Sequence, residues 1–203
     1  MNVLVLGANG KTGRLVVEQA LAAGHTVTAF VRDPSKLQLT DERLSIANGD
    51  ARDLDSLLAA LEGADAVINT IGGVERKLIA TTTLAIAGAM RKRGVNRIVS
   101  ISTFIATPNF KPTGMMRLFP WLARGMAKDD VAGAGLLEAS GLDWTIVYAT
   151  LLKSKPASGY RRVEADEKVT GRDQINRADV AECLLAALDD RSTIRRSFLI
   201  TGR

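Results

Sequence analysis

Apolar residues run without a break through Val3-Leu4-Val5-Leu6, stop at Gly7, and give way after Gly13 to a helical pattern that opens Arg14-Leu15-Val16-Val17. Further apolar runs at residues 25–31, 44–48, 66–70, 97–101, 144–148 and 197–200 have the length of buried strands. Helix-period stretches at 12–23, 54–61, 81–93, 129–139 and 178–188 separate them. Gly94 and Gly141 stand just past two of these helices, where a left-handed cap favours glycine. Strand and helix alternate from end to end, which predicts an α/β fold: one doubly wound parallel sheet with helices on both faces. Two stretches, 104–127 and 151–177, fit neither period. They leave the fifth and sixth strands at the carboxyl edge of the sheet, where ligands lie in such folds, so they are the expected substrate loops.

The first strand-to-helix turn carries chemistry. In Gly7-Ala8-Asn9-Gly10-Lys11-Thr12-Gly13, glycines let the chain reverse tightly and bring backbone N–H groups up to an anion, with the positive end of a helix behind them. Gly10-Lys11-Thr12 invites a triphosphate-loop reading, but that loop needs glycine five positions before Gly10, and Val5 is there. The spacing Gly7-x-x-Gly10-x-x-Gly13 is instead a dinucleotide fingerprint with its first interval lengthened by one residue, which makes a Rossmann fold the expectation. A tight turn with no ligand is the alternative.

The end of the second strand selects the dinucleotide. Sites for NAD place an acid there to receive the ribose 2′-hydroxyl, whereas this chain has Arg32, with Lys36 after the Asp33-Pro34-Ser35 turn. A guanidinium forks onto a 2′-phosphate that an acid repels, so the expected cofactor is NADP, with NADPH favoured over NADH. Ordinary surface charges are the competing account of both residues.

Length and composition narrow the rest. The 203 residues suit one domain, 1–203, with the substrate site built on the same sheet. No apolar run reaches the ~18 residues of a membrane span, and Met1 leads straight into the first strand, so neither a membrane anchor nor a targeting peptide is expected. The lone Cys183, inside an apolar helical pattern, fits a core position and a reducing cytoplasm. Net charge is +5, yet acids are interleaved with the bases and no basic run carries stacking aromatics, which argues against a nucleic-acid partner. Only 4% of residues are aromatic, so the gathering of Phe104, Phe110, Met115, Met116, Phe119, Trp121 and Met126 stands out as a lid over a flat substrate, a homodimer contact, or a packed satellite cluster.

These features together, with Val31-Arg32-Asp33, Asn48-Gly49-Asp50, Val67-Ile68-Asn69-Thr70-Ile71-Gly72, the segment Ser140-Gly141-Leu142-Asp143-Trp144-Thr145-Ile146-Val147 and Ile175-Asn176-Arg177-Ala178-Asp179-Val180-Ala181, resemble the atypical short-chain dehydrogenase/reductases. Within them the chain is similar to the NmrA-like and biliverdin reductase B/flavin reductase group. The resemblance implies that Asp50 and Ala51 flank the adenine, that Thr70, Ile71 and Gly72 line the ribose and pyrophosphate path, and that Ser102 and Thr103 lie near the nicotinamide as candidate catalytic hydroxyls. Tyr148 joins the expected cofactor set. The alternatives are a turn cap for Asp50 and a loop-satisfying hydroxyl for Ser102.

The usual Tyr-x-x-x-Lys dyad is absent: Leu152 stands four residues after Tyr148, and Glu164 four after Tyr160. Ordinary alcohol oxidation is therefore not expected. A single histidine, His25, at a helix-to-strand turn argues against metal or Ser-His chemistry. Asp129-Asp130 and Asp189-Asp190 read as solvated helix-end acids. The expected activity is hydride transfer from NADPH to a small flat conjugated acceptor such as a flavin, quinone or linear tetrapyrrole, by a monomer or homodimer. A non-catalytic NADP(H) sensor is the alternative.

Overall fold

Four of the five residues of strand β1 (Asn2–Leu6) are buried, because helices cover both sides of the sheet in which it is central. A computed structural model describes residues 1–73, 75, 77–107 and 120–203, the side chains of 120–126 excepted. Along the chain, β1 is followed by α1 (Lys11–Ala22), β2 (Thr26–Val31), β3 (Leu44–Asn48), α2 (Leu54–Ala60), β4 (Ala66–Asn69), α3 (Leu78–Arg93) and β5 (Arg97–Thr103). Then come α4 (Pro120–Glu138), β6 (Asp143–Ala149), three short strands β7 (Leu151–Lys153), β8 (Tyr160–Arg162) and β9 (Gln174–Asn176), α5 (Arg177–Asp189) and β10 (Arg196–Gly202).

The main sheet has the order β3-β2-β1-β4-β5-β6-β10-β8. All pairings are parallel except β10 with β8. This is the expected Rossmann-like sheet. Alternation along each strand sorts the core into two layers. Val3, Val5, Ala29, Ile68 and Val99 face α1 and α5, while Leu4, Leu6, Val67, Ile98 and Ile146 face α2, α3 and α4. Gly94 caps α3 with φ of 73°, and Gly141 beyond α4 has φ of 78°, as their spacing predicts.

Two expectations need correction. The segment 151–177 is not irregular throughout: β7 and β9 form a second, parallel two-stranded sheet, and β8 adds an antiparallel edge to the main one. Three-residue strands are too short to show a period in sequence. The segment 104–127 also contains regular structure, since Phe104–Ala106 forms a 3-10 turn and α4 begins at Pro120. Of the aromatic and methionine cluster, Phe104 is buried; the side chains of Phe110, Met115, Met116, Phe119, Trp121 and Met126 lie outside the described residues.

At the amino edge of β5 and β6, the half-buried Arg97 guanidinium donates to the carbonyls of Asp143, Ala187 and Leu188 and to the hydroxyls of Thr145 and Thr193. It ties the end of α5 to the sheet. Among the described residues, no helix is long and apolar enough to cross a membrane.

Candidate functional site

Between β1 and β4 the order of strands reverses, so the connections leaving β1 and β4 pass to opposite faces and leave a crevice at their carboxyl ends. A cleft of about 430 Å³ opens there. The glycine loop forms one wall. Gly7 has φ of 79°, a left-handed conformation that a side chain would strain, and a β-carbon there would lie 2.9 Å from Thr70 Oγ1. Gly10 N–H donates to Gly7 C=O at 2.8 Å, closing the turn. Gly10 also forms the N-cap of α1 without a side-chain cap, so the first-turn N–H groups of Lys11, Thr12 and Gly13 are left to an external acceptor. Gly13 permits α1 to approach the loop, because a β-carbon would fall 2.2 Å from Gly7 C=O.

Of the expected cofactor positions, Gly7, Asn9, Gly10, Arg32, Lys36, Asp50, Ala51, Thr70, Ile71 and Gly72 all line the cleft. Lys11, Thr12 and Gly13 sit behind it in the first turn of α1. Asn9 Nδ2 donates to Asp33 C=O at 2.7 Å, which ties the phosphate loop to the turn after β2. On the opposite wall Thr70 Oγ1 donates to Leu6 C=O at 2.8 Å, and Asn69 Oδ1 receives Ile71 N–H at 3.1 Å. Asn69 in turn donates to the buried Ser100 Oγ at 3.1 Å, so β5 holds the floor of the cleft in place.

The charges in the cleft are unequally committed. Lys36 Nζ is 3.2 Å from Asp33 Oδ2. Arg52 pairs with Asp50 at 2.6 Å and with Glu75 at 2.9 Å, linking the segments after β3 and β4. Side-chain and backbone hydrogen bonds from Arg52 hold the Asp50 carboxyl at about 2, well below the usual range. Arg32 is exposed and, among the described residues, has no ion pair or hydrogen bond of its own. Its charge is felt by Asp50, whose carboxyl it helps to lower, but no acid among the described residues pairs with it directly. Arg52, Glu75 and Phe30 also line the cleft, and no sequence pattern picks them out. The Asn48-Gly49-Asp50 motif does flag Gly49, where a β-carbon would strike Phe30 and Ser56.

Ser102, Thr103 and Tyr148 lie beyond this lining, at the carboxyl ends of β5 and β6. Thr103 Oγ1 accepts the Ile105 N–H and caps the 3-10 turn. Tyr148 is buried in the core layer facing α2, α3 and α4, and burial, with help from Glu138 and Asp130, pushes its phenol up. Ser102 donates to Asp130 Oδ1 at 3.2 Å. Asp129 and Asp130 therefore are not helix-end acids. They sit within α4, whose start at Pro120 puts both in its interior. Cys183 is buried as expected, and burial pushes its thiol up to about 11, so it stays protonated. Among the described residues, no group of three or more His, Cys, Asp or Glu side chains could hold a metal ion.

The glycine loop and the uncapped first turn of α1 are the donor set that a dinucleotide's pyrophosphate calls for. A family model described as NAD(P)H-binding matches residues 7–191. An uncharacterized sugar epimerase, YhfK of Bacillus subtilis, is 29% identical over 99% of this chain and 94% of its own. Among solved structures, a short-chain dehydrogenase/reductase from Veillonella parvula in complex with NADP superposes with a TM-score of 0.81 at 19% identity, covering 100% of this chain and 94% of that one. ChuY, an anaerobilin reductase from Escherichia coli O157:H7, superposes with a TM-score of 0.84 at 20% identity, covering 100% and 97%.

Proposed function

The chain belongs to the NAD(P)H-binding family, and from that premise we propose that it is an NADPH-dependent reductase acting on a small flat conjugated acceptor, of the flavin, quinone or linear tetrapyrrole kind. The observation that carries the cofactor choice is Arg32, which at the end of β2 feels Asp50 only through space, while Lys36 and Arg52 are directly paired with acids. The fold it shares with an NADP complex and with an anaerobilin reductase supports the same reading.

When bound, the cofactor supplies a hydride equivalent; the chain supplies everything else. First-turn N–H groups of α1 would hold the pyrophosphate, Arg32 would take the 2′-phosphate, and Thr70 to Gly72 would flank the path toward β5. Ser102 holds a proton at Oγ at the far end of that path. A flat acceptor gains more from stacking and orientation than from a dedicated phenolic acid, so the missing tyrosine and lysine dyad is no obstacle. The same absence favours the second reading, an NADP(H) sensor. The expected setting is the cytoplasm, which a chain with a single cysteine, and so with no internal disulfide, suits.

The experiment is a spectrophotometric screen of NADPH oxidation with FMN, a quinone and biliverdin. Oxidation above background for at least one supports the reductase. Tight NADPH binding with no oxidation for any of them supports the sensor.

A further inference from the structure

Adjacent acids on α4 do different work. Asp129 accepts the Ile79 and Ala80 N–H groups at 2.8 and 3.1 Å and so caps the start of α3, which begins after the left-handed Lys77. Asp130 turns to the sheet instead, where it receives the Ser102 hydroxyl at 3.2 Å and interacts with the Thr103 backbone N–H. Among the described residues no Lys or Arg pairs with it. Ser102 stands opposite Tyr148 in the β5/β6 register, two residues past Ser100, whose hydroxyl braces Asn69 beneath the cleft wall.

A serine bound to a carboxylate must spend its only hydrogen on that bond. If the carboxyl is protonated, the bond reverses: Asp130 donates to Ser102 Oγ, and the serine hydrogen is released toward whatever lies at the carboxyl end of β5. We propose that Asp130 and Ser102 form a proton relay for the acceptor, with Asp130 acting through Ser102 as its positioning and reloading residue. This rests on the reductase reading. An acceptor that has gained a hydride from NADPH carries an electron pair. That pair takes the Ser102 hydrogen, breaking the Oγ–H bond; Oγ takes the proton of Asp130; and Asp130, left as a carboxylate, is reprotonated by water.

The surroundings suit this. Burial pushes the Asp130 carboxyl up, the Ser102 bond pulls it down, Asp129 pushes it up, and the Thr103 N–H pulls it down, with a net rise. From β6 the titratable neighbour is Tyr148, whose own upward shift keeps it a neutral phenol. At the two ends of α3 stand Lys77, its N-cap, and Arg91, Lys92 and Arg93 in its last turn, and none of them contributes to the Asp130 shift. Further along α4 itself is Glu138.

The test joins a titration to kinetics. In cofactor-free protein labelled at aspartate carboxyl carbons, Asp130 should titrate above the ordinary value, and higher still in Ser102→Ala, which removes a bond to the carboxylate. With an acceptor that the wild type reduces, turnover should fall as pH rises through the Asp130 titration. Asp130→Asn should lower kcat at acidic pH by about ten- to a hundredfold, at or below the low end of the ~10²–10⁴ of a general acid because Asp130 acts through Ser102, and flatten that pH profile. Asp130→Glu should restore part of it. NADPH affinity and Tm should be unchanged in both. A carboxyl titrating at or below the ordinary value, or an unaltered pH profile in Asp130→Asn, overturns the relay alone. No turnover by wild type with any acceptor overturns the reductase reading and the delivery step with it.

Discussion

A β-carbon added to Gly13 would stand 2.2 Å from the carbonyl oxygen of Gly7, and 2.6 Å from Thr70 Oγ1. Three elements, the loop after β1, the first turn of α1 and the end of β4, meet where only hydrogen fits. The obstacle is largely backbone, which cannot swing aside as a side chain can.

Gly13→Ala should therefore cost about 1–3 kcal/mol of stability, as overpacking does, and weaken dinucleotide binding by displacing the loop. Gly10 differs, because a β-carbon there meets only Gly7 C=O at 3.0 Å. Gly10→Val should keep the fold and lose the cofactor, since its side chain projects where backbone must meet pyrophosphate. Thermal melts and an NADPH titration on the two variants separate these outcomes; equal Tm losses in both would contradict the assignment.

The glycines and the strand before them were readable because a buried parallel strand is apolar without interruption and a phosphate turn demands glycine at fixed intervals. Arg32 was readable for the same reason, being placed by the strand that ends at Val31. Arg52 with Glu75, and Asp130 with Ser102, were not. Each pair joins residues 23 or 28 positions apart, and the identity of an acid or base says nothing about its partner until the fold brings them together. Strands β7 to β9 escaped because three residues give no period.

Asp50 makes a prediction about acid. Its carboxyl lies at about 2 in the folded chain, chiefly through Arg52, against an ordinary 3.8. A lowered value means that the stabilisation is complete above about 3.8 and is lost as pH falls toward 2. Both partners are about two-fifths exposed, so solvent screening limits the effect to no more than about 1 kcal/mol. Urea denaturation of Asp50→Asn should show a small deficit at pH 7 that closes between pH 4 and pH 2. A deficit that widens on acidification would contradict this.

Asp179 is fully buried and accepts the N–H groups of Ser158 and Gly159, both at 2.9 Å, through Oδ1, and Asn176 Nδ2 at 3.1 Å through Oδ2. Asp179→Ala leaves those donors without their acceptor and should cost on the order of 3 kcal/mol. Asp179→Asn keeps Oδ1 and should cost less. The measurement is the urea midpoint at constant m-value; equal losses in the two variants would point to the charge rather than the acceptor.

The most direct measurement is a calorimetric titration of wild type and Arg32→Ala with NADPH and with NADH. Losing a hydrogen bond to a charged group costs ~1.5–3 kcal/mol, roughly ten- to a hundredfold in affinity. Wild type should bind NADPH the more tightly, and Arg32→Ala should lose that factor for NADPH while NADH affinity stays nearly constant. A wild-type preference for NADH, or equal losses for both cofactors, would contradict the account.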